Sequence, residues 1–509
     1  FPYTTLFRSI WDILKLNVSD SQKNFVASNN ISIIEAYIAI TSNGYAFPFG
    51  IFEGNNPVGF VMIGYDKDDY WKDAPAIADG NYNLWRLMID KNYQNRGYGK
   101  QAVELALRFI RTFPCGKADF CWLSYEPENT VAKSLYVSFG FIETGEKDGE
   151  EQVYCDYGYR DIANKLPMSR DTIFRLYSQS KPVTAAATLL LVSEGKIDLA
   201  SAVEDYLPEF KDGHVNENGK RRNVYRKITV RDLLNMTSGL AYPDMTTEGG
   251  RQSDMVFREL DERLYTDHPM TTREFAQRMG KIDLCFEPGE KFMYGTSADI
   301  LGALIEVVSG ESFGDFLQKN FFDPLEMNET GFYVPEKNRS RLARVYEESQ
   351  QGLMEVKTNH LGLRYERDIA PSFESGGAGL CSTVDDYSKF GQMLMNEGVY
   401  QGKRIMPAQA VRFMRHGGLT SEQKPQLHQG WDWMSGYTYG NLMRVCENES
   451  ETSVFSSRGE YGWDGWLGTF FSNEPQHGIT LIFGTQQIGI GGTGVLVREI
   501  KNIVMSELV

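Results

Sequence analysis

The chain has 509 residues, 41% of them hydrophobic, which is too long for one core and predicts two or three folding units. Its formal net charge of −16 at pH 7 argues against binding to nucleic acid or to an anionic membrane surface. No apolar run reaches the roughly 18 residues of a membrane span. The six cysteines show neither CxxC spacing nor clustering with histidine, so we expect free thiols, no metal site and a cytoplasmic location.

The first motif in chain order is an apolar strand that runs into a glycine-rich turn and then a helix over Gln101–Arg111. Glycines let several backbone N–H groups converge at a helix N-terminus, where they can hold a pyrophosphate. The residues expected to touch such a ligand are the end of the strand and the turn, namely Leu87, Met88, Ile89, Gln94, Asn95, Arg96, Gly97, Tyr98, Gly99 and Lys100.

A second motif, Asn129–Phe141, follows downstream. Together the two motifs resemble the GNAT acetyltransferases, closest to polyamine-type members, over about 11–145. The resemblance implies an α+β fold with a mixed central sheet, in which 57–64 is the long central strand. It implies acetyl-CoA as co-substrate and a small amine as acceptor. Asn129 would touch the pantetheine arm and Tyr136 would protonate the departing thiolate, while Glu53, Asp90 or a water chain would be the base.

The predicted boundary between two domains lies in the charged, glycine-bearing segment Glu143–Glu151. This gives a first domain over 1–150 and a second over 151–509. The segment between the two domains is short, so Gln152–Asp156 must belong to the fold of one domain or of the other. A natural fusion and an artificial join of two genes both remain open, and Phe1–Ser9 fit neither domain.

The second domain begins with a serine three residues before a lysine, at the start of an apolar run that predicts a helix over 183–194. Residues i and i+3 share a helix face, so Ser178 Oγ and Lys181 Nζ can approach each other. A desolvated lysine can take the serine proton, and a helix N-terminus can stabilise an oxyanion. The pair alone is a weak signal, because many helices contain it by chance.

Four further motifs favour a catalytic role for this serine–lysine pair more strongly than the pair alone does. They are Ile228–Leu240, Glu287–Gly302, Ser375–Tyr387 and Tyr461–Thr469. In this order the motifs resemble the serine β-lactamase and penicillin-binding-protein superfamily, in particular its class C-like hydrolase and esterase branch, over about 152–509. The resemblance implies an antiparallel sheet flanked by helices, with a helical subdomain, and an acyl-enzyme at Ser178.

The resemblance also implies the rest of the catalytic groups. Tyr294 would relay the serine proton, although a packed aromatic is the alternative reading. Trp463-Asp464-Gly465 replace the usual Lys-Thr-Gly strand, and the N–H of Trp466 would form an oxyanion hole with that of Ser178.

Two departures from the superfamily bear on the substrate. Trp463 cannot attract the carboxylate of a β-lactam as a lysine would, and Thr296 replaces the asparagine of Tyr-x-Asn. Both favour an esterase acting on a small ester or amide. The alternatives are a β-lactamase or D-alanyl peptidase, and a penicillin-binding-like sensor with a silent site. The sequence does not give the oligomeric state.

Several other patterns carry lesser expectations. Ser312 sits in a G-x-S-x-G pattern, but the run before it predicts a helix rather than the strand that a nucleophile elbow needs. All six histidines, His360 included, are expected to be surface or capping residues. The basic residues of 221–227 are expected to be solvated, and Ile479–Gln486 to be a buried strand.

Overall fold

A computed structural model of the chain describes residues 10–23, 25–67, 75–118, 120–126, 129–141, 158–217, 219–350, 352–357, 359–489 and 494–506. The chain separates into two compact units, Phe1–Val153 and Tyr154–Val509. The predicted seam over 143–151 and the segment 152–156 lie outside the described residues, as do residues 1–9.

The first unit is built on a mixed four-stranded sheet in the order β1-β2-β3-β4. Its elements are α1 (Asn29–Thr41), β1 (Tyr45–Glu53), β2 (Asn56–Tyr65), β3 (Tyr82–Ile89), α2 (Tyr98–Ile110), β4 (Cys121–Trp122) and α3 (Thr130–Val137). The first three strands are antiparallel, and β4 is parallel to β3. The inner strand β2 is the longest and is buried, because its run of Val, Phe, Met and Ile faces apolar neighbours on both sides. The expected long central strand is therefore confirmed.

The second unit contains a five-stranded antiparallel sheet in the order β15-β16-β17-β18-β19. Its strands are β5 (Tyr159–Asp161), β6 (Leu166–Pro167), β7 (Phe174–Arg175), β8 (His214–Glu217), β9 (Lys220–Asn223), β10 (Tyr346–Ser349), β11 (Gly352–Glu355), β12 (Cys381–Ser382), β13 (Val399–Tyr400), β14 (Lys403–Arg404), β15 (Tyr437–Gly440), β16 (Met443–Cys446), β17 (Tyr461–Asp464), β18 (Phe470–Glu474), β19 (Ile479–Phe483) and β20 (Gln487–Ile488). Strand β17 is central: β16 pairs with its first two residues, Tyr461 and Gly462, and β18 pairs with all four.

Helices make up most of the rest of this unit. They are α4 (Lys181–Ser193), α5 (Val230–Leu234), α6 (Glu248–Arg263), α7 (Thr272–Met279), α8 (Ser297–Ser309), α9 (Phe313–Leu317), α10 (Val384–Met395), α11 (Ala408–Met414), α12 (Lys424–Gly430) and α13 (Val495–Ser506). Helix α4 is apolar all round and is buried along most of its length, against α8 and α11. The predicted two-domain architecture, with a sheet, flanking helices and a helical part, is confirmed.

A buried network of four charges fixes the last helix of this unit. Lys501 of α13 lies 3.3 Å from Glu460 and 3.0 Å from Glu474, and Arg444 donates to Glu460 at 2.8 Å. Each of these side chains is at most 3% exposed. Two cations and two carboxylates balance each other, which offsets the cost of taking them out of water.

One of the lesser expectations is wrong. Strand β19 is an edge strand and is only half-buried, because β18 is its single partner in the sheet. The basic residues of 221–227 are largely solvated, as expected, since the side chains of Arg221, Arg226 and Lys227 are 53%, 47% and 63% exposed. They also pair with carboxylates that the fold covers: Arg221 with Asp283, Arg222 with Glu287, Arg226 with Asp232 and Lys227 with Glu204.

The chain offers no candidate for a membrane span within the described ranges, since none of their helices combines the necessary length with the necessary hydropathy.

Candidate active site

Ser178 lies in a tight turn between β7 and α4. Residues 177–180 form a single 3₁₀ turn, and the α-helix begins at Lys181. Tyr177 has φ of +45°, a backbone conformation that costs a non-glycine residue on the order of 1 kcal/mol. Ser178 is partly exposed, whereas Lys181 below it is fully buried.

Lys181 has one acceptor for each of its three N–H groups. Its Nζ donates to Ser178 Oγ at 3.1 Å, to Tyr242 Oη at 3.1 Å and to the carbonyl of Gly377 at 2.8 Å. Burial lowers the pKa of Lys181 to about 7, and the negative charges of Asp299 and Asp464 limit that fall. A large neutral fraction therefore exists near pH 7, and neutral Nζ can accept the serine proton.

Tyr294 stands on the opposite side of the serine. Its pKa is raised by burial, so the phenol is protonated at neutral pH, and it hydrogen-bonds to Ser178. The indole Nε1 of Trp463 donates to Tyr294 Oη at 2.9 Å. Lys181 Nζ lies 4.6 Å from the centre of the Tyr294 ring. The structure therefore brings together Ser178, Lys181, Tyr294 and Trp463, all of which the sequence singled out.

A second tyrosine, Tyr242, was missed from the sequence. Ala241 and Gly295 form an isolated β-bridge, which places Tyr242 and Tyr294 with ring centres 5.9 Å apart. Tyr242 follows directly on the Thr-Ser-Gly-Leu motif. This position directly after the motif is the feature of the sequence that could have identified Tyr242 as a site residue.

The buried carboxylate of Asp299 also escaped prediction. It accepts hydrogen bonds from Ser375 Oγ and from the N–H of Gly377. The carbonyl of Gly377 in turn accepts a hydrogen bond from Lys181 Nζ. Asp299 therefore fixes one of the three acceptors around the lysine.

Strand β17 is held directly against the segment that precedes the serine. A Cβ at Gly465 would lie 2.3 Å from the carbonyl oxygen of Leu176, so only glycine permits this approach. Thr469 Oγ1 donates to that same oxygen at 3.1 Å. The two residues whose N–H groups were predicted to form the oxyanion hole, Ser178 and Trp466, thus belong to adjoining segments.

His360 is exposed, as expected of a surface histidine, but it is not isolated. Its ring stacks on Trp466 with centres 4.0 Å apart, and it lies 5.9 Å from the ring of Tyr177. The stacking covers one face of the ring. Partial desolvation lowers the pKa of His360, which favours the neutral form. Ser312, in contrast, is the N-cap of α9, and the run before it is helix α8, as the sequence predicted.

The first unit has a distinct arrangement at the start of α2. Gly97 caps this helix with φ of +83°, in the left-handed region that favours glycine. The space beside Gly97 is open, since in the described part of the chain no atom beyond its chain neighbours lies within 4 Å of the position that a Cβ would take. Among the described strands, β4 pairs with β3 only at Tyr82 and Asn83. The edge of β3 that faces away from β2 therefore has no partner from the described strands over Leu87–Ile89, and an extended group could pair with it. A Cβ at Gly99 would lie 3.7 Å from Leu135 and 3.8 Å from Ile89, which places the helix start beside both α3 and β3.

The other side chains of this turn have varied contacts. The amide of Gln94 is held within the fold, because it donates to Gln22 Oε1 and to Ile89 O, each at 3.0 Å. Arg96 lies over the ring of Tyr93, and Tyr98 hydrogen-bonds to Glu53. Asn95 has φ of +62°, and Lys100 is in the first turn of α2.

The predicted acid and contact residue lie on α3. Asn129 Oδ1 caps that helix by accepting from the N–H of Ala132. Burial raises the pKa of Tyr136 to about 12, so its phenol keeps a proton at neutral pH. Of the two candidate bases, Asp90 has a structural role, since its carboxylate accepts from Asn17 and from Asn92.

Family comparison supports both halves. The model of the Beta-lactamase family matches residues 146–490, more than half of the chain. The chain belongs to the Beta-lactamase family. The model of the Acetyltransferase (GNAT) family matches residues 11–141, so this family member carries a GNAT domain ahead of its β-lactamase-type domain.

Individual relatives cover the same second unit. Protein Rv1367c of Mycobacterium tuberculosis is 30% identical over 336 residues, which are 64% of this chain and 80% of that protein. Esterase EstB of Burkholderia gladioli is 24% identical over 367 residues, 68% of this chain and 86% of the esterase. The structure of EstCE1, described as a hydrolase with promiscuous acyltransferase activity, is similar with a TM-score of 0.56 and 26% identity, over 68% of this chain and 88% of that one. The second unit therefore has a β-lactamase-type fold that resembles those of known hydrolases and esterases.

In this Beta-lactamase family member, the pH dependence of hydrolysis tests the lysine. We expect kcat/KM to rise about tenfold between pH 6 and pH 8, since Lys181, with a pKa of about 7, must lose its proton to act as a base. Asp464 raises the pKa of Lys181, so Asp464→Asn should move the rising limb to lower pH. A pH–rate series checks both, with Asp267→Asn on the surface as control. A limb that moves to higher pH would contradict the assignment.

The left-handed Gly97 gives a test of the GNAT domain. We expect Gly97→Val to weaken acetyl-CoA binding about tenfold, because a β-branched residue resists φ of +83° and would displace the turn. Isothermal titration measures the affinity. Gly54→Val is the matched control, since Gly54 also has positive φ with open space around its Cα but lies in the β1–β2 hairpin. Equal losses in both variants would mean that the effect is only one of stability.

Proposed function

We propose that the second domain, 151–509, is an esterase-like serine acyl hydrolase with Ser178 as nucleophile. The first domain, 1–150, is an acetyl-CoA-dependent N-acetyltransferase for a small amine, with a polyamine as one candidate acceptor. The observation that carries the hydrolase proposal is the buried Lys181 Nζ, 3.1 Å from the partly exposed Ser178 Oγ, with a pKa lowered to about 7. A lysine in this state is a base at neutral pH.

The contacts support a two-step reaction. Ser178 Oγ attacks the ester carbonyl as its proton passes to Lys181 Nζ, directly or through Tyr294 Oη. The backbone N–H groups of Ser178 and Trp466 receive the oxyanion. When the tetrahedral adduct collapses, the C–O bond to the alcohol breaks and the alkoxide takes the proton back through Tyr294. Water then attacks the acyl-enzyme by the same route and releases the acid and free Ser178.

Two contacts favour an ester over a β-lactam. Trp463 offers no positive charge for the carboxylate of a β-lactam, and its indole N–H already donates to Tyr294 Oη. Thr296 is fully buried, and among the described residues its hydroxyl has no hydrogen-bond partner, so it does not replace the amide of an asparagine. The names of the similar esterase EstB and hydrolase EstCE1 agree with this reading.

For the acetyltransferase, the residues present fit acetyl-CoA. When bound, acetyl-CoA supplies the acetyl group. The first N–H groups of α2 and the turn before them would hold its phosphates, and the open edge of β3 would hold its extended arm. Tyr136 Oη keeps the proton that the thiolate product needs.

Covalent labelling tests the hydrolase proposal. The intact chain should react with a fluorophosphonate probe and hydrolyse short-chain p-nitrophenyl esters, and Ser178→Ala should lose both. The matched control is Ser312→Ala, which removes the serine of the G-x-S-x-G pattern and should keep the label. An unlabelled wild-type chain would indicate a silent site, and acylation by penicillin would favour a β-lactamase or D-alanyl peptidase.

A further inference from the structure

A second cavity of about 400 Å³ opens in the β-lactamase-type domain, on the segment that follows β11. This is within the range of sites that hold small molecules. Six charged side chains line the cavity: Arg175, Arg344, Lys357, Arg364, Glu355 and Glu366. The cavity thus has twice as many of these cations as carboxylates, in a chain whose formal net charge is −16.

The two carboxylates do not saturate the cations. Arg175 and Arg344 each approach Glu366 to 3.8 Å, and Arg344 approaches Glu355 to 3.9 Å. These separations are longer than hydrogen bonds. Beyond the cavity lining, Arg344 also approaches Asp161 to 3.5 Å, and Arg175 donates one N–H to the carbonyl of Ala343 at 2.6 Å. Most of the guanidinium N–H groups are therefore not used by these partners. Lys357 and Arg364 add charge from exposed positions at the rim.

The cavity adjoins the wall of the Ser178 site. Tyr365 lines it, and the Tyr365 ring lies 6.0 Å from that of Tyr177, the residue before the serine. Asn359 also lines it, and the next residue, His360, stacks on Trp466. A group bound in the cavity therefore contacts side chains that touch the reacting segment.

We propose that this cavity recognises an anionic group, a carboxylate or a phosphate, on the acyl compound that Ser178 cleaves. Arginine binds either group with paired N–H donors, and lysine contributes a point charge. This inference rests on the proposed hydrolase function, because it assigns the cavity to the substrate of that site. It makes the preferred substrate an acid whose second, charged end lies away from the ester.

The kinetic test compares charged and neutral esters of equal length. The charged substrates are the mono-p-nitrophenyl esters of succinate, adipate and suberate. For the one whose length fits the cavity, we expect a kcat/KM at least ~10-fold above that of the neutral acyl ester of the same length, because the charged end makes a charge-assisted contact. The double variant Lys357→Gln/Arg364→Gln should lose this advantage and keep neutral hydrolysis within about twofold. Glu366→Gln, which removes a competing carboxylate, should increase it.

The double variant Lys220→Gln/Lys281→Gln is the matched control, because it makes the same change in net charge at exposed positions outside the cavity. An equal loss of the anionic advantage in this control would reduce the effect to long-range charge and overturn the proposal. The absence of an advantage at every chain length, in a chain that the fluorophosphonate probe labels, would also overturn it.

Direct binding separates this inference from the proposed function. Titration calorimetry of the full-length Ser178→Ala variant with succinate and with inorganic phosphate should show millimolar or tighter binding of at least one anion, weakened at least ~10-fold in the background of Lys357→Gln/Arg364→Gln. Tighter succinate binding assigns the cavity to a carboxylate, and tighter phosphate binding to a phosphate. If the wild-type chain is unlabelled yet binds an anion here, the hydrolase proposal fails while the anion site stands. Binding of neither anion overturns the site.

Discussion

Lys181→Ala should lower kcat/KM for ester hydrolysis by ~10³-fold or more, as for the loss of an essential base. Lys181 Nζ is the nitrogen that contacts Ser178 Oγ directly, and its burial holds the pKa at about 7 instead of the usual 10.5. Without it the serine proton has no acceptor of comparable basicity. Steady-state kinetics on a neutral p-nitrophenyl ester measure the loss.

The buried position of Lys181 requires a control for folding. Lys181→Met keeps most of the volume without the amine, so it should show the same loss of activity. Its circular dichroism spectrum and melting transition should show a folded protein, which melts lower than the wild type because the carbonyl of Gly377 loses its donor. Activity within tenfold of wild type in a folded Lys181→Met variant would show that another group is the base.

We expect Tyr294→Phe to lower kcat/KM by ~10²-fold or more, in the range of general acid–base catalysis. Its phenol hydrogen-bonds to Ser178, and Trp463 Nε1 donates to the same oxygen. This arrangement lets Tyr294 give a proton to the leaving alkoxide and recover one from the serine side. Phenylalanine keeps the packing against Trp463, and it removes the relay together with the acceptor of the Trp463 indole N–H.

The site supplies its own controls for this variant. Tyr439 is also buried near Tyr294, with ring centres 6.4 Å apart, but its hydroxyl has no hydrogen-bond partner in the described part of the chain. Tyr439→Phe should therefore leave kcat/KM within about threefold. Tyr242→Phe removes the other phenol beside Lys181. If it costs more than Tyr294→Phe, the relay belongs to Tyr242.

The sequence predicted what depends on local spacing. Ser178 and Lys181 are close because i and i+3 meet on one helical turn. The run before Ser312 forms helix α8, as predicted, and it ends at Ser309 because Gly310 takes the left-handed conformation. The strand-turn-helix of the first unit follows from glycines at fixed positions.

What the sequence did not predict depends on contacts between distant segments. Tyr242 reaches Lys181 only because residues 241 and 295 pair, and Asp299 acts through Gly377, 78 residues further on. His360 stacks on Trp466 across more than 100 residues, so no local pattern shows it. The carboxylate partners of Arg221 and Arg222 were not predicted for the same reason, since they come from about 283–287.

The burial of Lys501 has a consequence for the order of folding during synthesis. Helix α13 follows all five strands of the large sheet in the chain, so the ribosome makes it after them. Until it docks, Glu460 has Arg444 as its cation, while Glu474 lacks its partner Lys501. The sheet that carries Trp463 and Asp464 therefore reaches its final stability only after α13 has been synthesised and has docked.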